Sequence, residues 1–103
     1  MPKIKLKKSL TFNDAFESFL LSKKSEGLSN KTLTTYKGHL SCIARHFNIF
    51  LQLSEITRSD FEQMISSMRE SELSSNSIAS YVRTLKSLLS WARREGIRHN
   101  IPP

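Results

Sequence analysis

The chain has 103 residues, a formal net charge of +7 and one cysteine, Cys42. That length suits one domain with a modest core. A single cysteine excludes a disulfide framework and a cysteine-rich zinc site, and it fits a reducing, cytoplasmic setting. No apolar run approaches the ~20 residues of a membrane span. The sequence pI of about 9.9 points to a polyanionic partner, nucleic acid first.

Residues 1–9 carry Lys3, Lys5, Lys7 and Lys8. They are expected to form a flexible basic tail that adds non-specific phosphate contacts. Thr11 opens a first helix as N-cap, with Asp14 in the place of the usual capping-box acid. Phe12, Ala15, Phe16, Phe19 and Leu20 mark its buried face, and Gly27 ends it. A second helix is expected from Ser29 to about Phe47. Leu33, Tyr36, Leu40, Ile43 and Phe47 step by three and four residues, a single core stripe. Its outer residues include Asn30, Lys31, Thr34, Thr35, Lys37 and Gly38. Glycine in mid-helix costs ~1 kcal/mol relative to alanine. Gly38 is therefore expected to permit a close approach, by another helix or by a phosphate backbone.

Residues 48–55 connect to a third helix that starts at Thr57-Arg-Ser-Asp60. Its inner face is Phe61, Met64, Ile65 and Met68. The fourth helix, from Ser74 or Ser75 to Gly96, is the longest. Its apolar face is Ile78, Val82, Leu85, Leu88, Leu89 and Ala92, and its polar face is Asn76, Ser77, Ser80, Arg83, Thr84, Lys86 and Ser87. Arg93 and Arg94 suit the negative end of the helix dipole.

Charge is divided unevenly among the helices. Every acid but Glu95 lies on or beside the first and third helices. From Gly27 through Ser54, and from Ser74 through Arg94, there is none. An ordinary solvated helix mixes signs. Two acid-free helices that share a face would present a purely positive surface.

Other chemistry is weakly supported. Tyr36 and Tyr81 sit in helical patterns without an activating cluster. His39, Cys42 and His46 share one helix and raise the question of zinc, but surface imidazoles are the preferred reading. Trp91 suits the rim of the core better than a base stack. There is no glycine-rich phosphate loop, nucleophile elbow or carboxylate pair. No catalytic residue, metal or cofactor is expected.

Four motifs in order resemble a known family: Leu10-Thr-Phe-Asn-Asp-Ala-Phe16, Leu28-Ser-Asn-Lys-Thr-Leu-Thr-Thr-Tyr36, Ile56-Thr-Arg-Ser-Asp-Phe61, and Ser75-Asn-Ser-Ile78 followed by the run from Leu85 to Gly96. The segment Asn100-Ile-Pro102 stands near the family's Asn-Pro exit, with Ile101 intervening. The chain resembles the N-terminal core-binding, or SAM-like, domain of phage integrases and other tyrosine recombinases. The resemblance implies an all-α, compact four-helix orthogonal bundle over residues 10–97. Residues 98–103 would begin a linker to a C-terminal catalytic domain that lies outside this chain. It implies half of a clamp round double-stranded DNA at the core recombination site. Neighbouring recombinase subunits are further partners, and membranes are not. Asn30, Lys31, Thr34, Thr35, Lys37, Gly38, Ser77, Ser80, Arg83, Thr84, Lys86 and Ser87 are then the expected DNA-binding residues. The alternatives are a helical protein-interaction module, since fold alone does not fix function, and a helix-turn-helix regulator.

Overall fold

The computed structural model describes residues 10–97. The expected basic tail and linker stub fall outside them. Four helices follow in order: α1 (Phe12–Ser25), α2 (Asn30–His46), α3 (Arg58–Glu70) and α4 (Ser75–Arg94), with a 3-10 turn at Leu53–Glu55. No strand occurs among the described residues.

Each α-helix starts on a side-chain cap. Thr11, Ser29, Thr57 and Ser74 accept from the backbone N–H three residues on. Thr57 and Asp60 complete a reciprocal capping box. Three helices end alike. At α1, Gly27 N–H donates to the Lys24 carbonyl and Leu28 N–H to the Lys23 carbonyl. At α4, Gly96 donates to Arg93 and Ile97 to Ala92. These are Schellman closures, which need a left-handed residue. Gly27 and Gly96 supply it with φ of 95° and 77°. At α3 the same pair of bonds forms, but the left-handed residue is Glu72, with φ of 63°.

The start of α1 is anchored by a distant segment. The first amide protons of a helix have no partner within it. Here Phe12 N–H donates to the Leu51 carbonyl at 2.9 Å and Asn13 N–H to the Ile49 carbonyl at 2.8 Å. Leu53 N–H returns a bond to the Leu10 carbonyl at 2.6 Å, and Thr11 and Gln52 form an antiparallel bridge. The α2–α3 connection thus closes α1 instead of merely spanning the gap.

Phe19 stands where α1, α2 and α4 meet. It is fully buried, and its ring lies 5.7 Å from Phe16, 5.4 Å from Tyr36 and 5.8 Å edge-on from Trp91. The expected apolar stripes otherwise form the core, and Ile97 joins them as a buried residue. Among the described residues, Leu21 and Phe50 are the large apolar side chains left exposed.

Candidate nucleic-acid interface

α2 and α4 pack directly against each other, in opposite directions. Cys42 lies beside Tyr81, and His39 Nδ1 shares a 2.6 Å hydrogen bond with Thr84 Oγ1. The His39 ring also meets Tyr81 edge-on at 5.1 Å. Between the helices runs a groove of about 190 Å³ lined by Tyr36, His39, Ser80, Arg83, Thr84 and Ser87. No carboxylate lines it.

The structure sorts the expected DNA-binding residues. Asn30, Lys31, Thr34, Thr35, Lys37, Gly38, Arg83, Lys86 and Ser87 are exposed, and Ser77 and Ser80 are half-buried. Thr84 is a correction. It is 4 % exposed, and its hydroxyl is taken up by His39. Its role is to tie the two helices from beneath, not to offer a hydrogen bond outward. Successive helical residues turn by about 100°, so Asn30, Thr34 and Lys37 fall furthest round α2 from His39, and Lys31, Thr35 and Gly38 stand nearer to the open rim beside α4.

Gly38 meets no close neighbour. A Cβ built there would find nothing within 4 Å, so no packed helix explains the glycine. Gly38→Ala is expected to stabilise the protein by about 1 kcal/mol. For a domain of this size that is a rise of several degrees in thermal midpoint. A simultaneous loss of duplex affinity would mark Gly38 as a point of phosphate approach; unchanged affinity would remove it from the interface.

Two cations beside Arg83 and Lys86 have no signal in the sequence. Lys23, from α1, shares a depression with Arg83, Lys86, Ser87, Ser90 and Arg94. Arg69, from α3, lines another with Arg83 and Lys86. Both stand on helices whose overall balance is neutral or acidic, so only the fold reveals them. Arg83 and Lys86 bridge to no carboxylate among the described residues.

The remaining candidates take structural parts. His46 Nδ1 hydrogen-bonds Ser67 Oγ on α3 at 2.8 Å, whereas His39 turns to α4. His46 is thus committed to α3, whereas His39 and Cys42 both face α4, where each adjoins Tyr81. Trp91 is 5 % exposed, so its ring is closed to base stacking. Hydrogen bonding with Cys42, then burial, holds the Tyr81 phenol above its ordinary pKa. That is the reverse of an activated nucleophile.

Burial first, and then the Arg83 guanidinium, hold His39 below the usual histidine range. The unfolded chain therefore takes up this proton more readily than the folded one. Stability contributed by neutral His39 is intact above the unfolded pKa of about 6.5 and falls as pH drops below it. Thermal midpoints measured from pH 7.5 to pH 5 are expected to decline, and His39→Gln should flatten that decline.

The phage integrase N-terminal SAM-like domain model matches residues 14–96. The chain belongs to that family. No curated protein and no solved structure matches it. The match covers all but the first two residues of α1 and the whole of α2, α3 and α4. The integrase domain assignment agrees with the order of motifs from Leu10 to Gly96, and no described helix is long and apolar enough to cross a membrane.

Proposed function

We propose that this integrase-family domain is a DNA-binding core-binding domain of a site-specific tyrosine recombinase. It grips the core recombination site so that a separate C-terminal catalytic domain can cut and rejoin the DNA. The observation that carries this reading is the acid-free face made by two helices in direct contact, α2 and α4. Exposed Lys31, Arg83 and Lys86 would neutralise phosphates and release counterions, which gives salt-dependent affinity. Thr34, Thr35, Ser77, Ser80 and Ser87 would add short hydrogen bonds to phosphates or base edges. Neutral Thr84 and His39 hold the two helices at a fixed separation, so these groups meet the duplex already in register.

The test is an amide chemical-shift titration with a short duplex at low and then moderate salt. Shifts concentrated in residues 29–38 and 75–87, fading as salt rises, are the expected result. Shifts confined to residues 57–72, or none at low salt, would reject the interface and favour a helical protein-interaction module. A helix-turn-helix regulator fits less well, since α4 is 20 residues long and follows an acidic helix.

A further inference from the structure

α1 ends beside the last turns of α4. The depression there, about 310 Å³, is lined by Lys23 from α1 and by Arg83, Lys86, Ser87, Ser90 and Arg94 from α4. Four cationic side chains and two hydroxyls line it, and the one carboxylate paired with any of them is Glu26, which meets Lys23 and is not itself among the lining residues. Lys23 is held in place. Its side chain is 19 % exposed, its Nζ lies 5.6 Å from the centre of the Phe19 ring, and it reaches Glu26 at 3.6 Å. Arg94 is steadied by a 3.4 Å bond from its Nη1 to Ser90 Oγ. Side chains already positioned lose less freedom when a ligand arrives. The carbonyl ends of α1 and α4 disfavour an anion by about half a charge each, and four full charges outweigh them.

We propose that this depression is a phosphate site, and that a DNA strand leaving the α2–α4 groove is gripped there by α1 through Lys23. The proposal rests on the DNA-binding reading for the source of the phosphate. It extends the interface to a third helix whose net charge gives no hint of it. Glu26 is a built-in competitor: its carboxylate occupies Lys23 until a phosphate displaces it.

The test is duplex affinity by fluorescence anisotropy across a salt series. Lys23→Gln and Lys23→Met are each expected to reduce the salt slope by about 0.9 and the affinity about eightfold at 0.1 M salt. The Met variant keeps an unbranched stem on the Phe19 ring, so a loss common to both reports the charge rather than the packing. Glu26→Gln, which frees Lys23, is expected to tighten binding about twofold. An unchanged slope in both Lys23 variants, with a reduced slope in Arg83→Gln, would overturn the α1 site and leave the DNA reading standing. Wild-type protein that ignores the duplex would defeat the DNA reading itself. In that case a pyrophosphate titration decides: amide shifts at Lys23, Ser90 and Arg94 keep an anion site fed by free phosphates, and their absence overturns it.

Discussion

Phe19→Ala is expected to cost about 3–5 kcal/mol of folding stability. A domain of this kind has only about 5–15 kcal/mol in total, so the loss threatens the native state. The size of the effect follows from position. Phe19 is fully buried and touches Phe16 on its own helix, Tyr36 on α2 and Trp91 on α4. Removing the ring leaves a void where three helices meet, and no one helix can move to fill it without parting from the other two. Lys23 also loses the ring beneath its ammonium group. Urea denaturation followed by circular dichroism measures the change. Leu21→Ala is the control on the same helix: at 68 % exposure it should stay within about 0.5 kcal/mol of wild type. A loss below about 1 kcal/mol for Phe19→Ala would contradict this account of the core.

The second large effect is on binding. Arg83→Gln combined with Lys86→Gln is expected to lower the salt slope of duplex binding by about 1.8 and the affinity roughly 50-fold at 0.1 M salt. Both side chains are exposed, and both line the depressions on α4. Neither bridges to a carboxylate among the described residues, so a phosphate need displace no acid to reach them. Arg58→Gln separates local from overall charge. Arg58 is 80 % exposed on α3 and pairs with Glu62 at 3.4 Å. Its loss also removes one positive charge, yet affinity should change less than about twofold. Equal losses from Arg58 and Arg83 would mean that only net charge matters and that the α4 face is not a site.

The features legible in the sequence are those written in local chemistry. Thr11, Ser29, Thr57 and Ser74 cap the helices they announce, because the capping bond spans only three residues. The three-and-four spacing of Ile78 to Ala92 gives the buried face of α4, because burial follows helical periodicity. What was illegible depends on partners remote in the chain. Thr84 is as compatible with an outer face as with an inner one until His39, 45 residues away, claims its hydroxyl. The pairing of Thr11 with Gln52 has no local signal. Glu72 escaped notice because glycine is the usual mark of a left-handed helix end, and here an ordinary side chain takes that conformation. Lys23 and Arg69 were hidden by averaging charge over whole helices, when one cation on the right flank is what counts.

The contact between α2 and α4 has one more consequence. Two helices without a single acid are held side by side in a chain of net charge +7, so folding draws together like charges that the extended chain keeps further apart. Mobile ions screen that repulsion over about 10 Å at 0.1 M. Added salt should therefore raise the melting temperature of the free domain while it weakens the grip on DNA. The two trends, read by differential scanning calorimetry and anisotropy on the same samples, should run in opposite directions. A bound duplex supplies the missing counter-charge and stabilises the native state by mass action. The domain then has its greatest heat resistance in high salt or on DNA, and its least in dilute buffer alone.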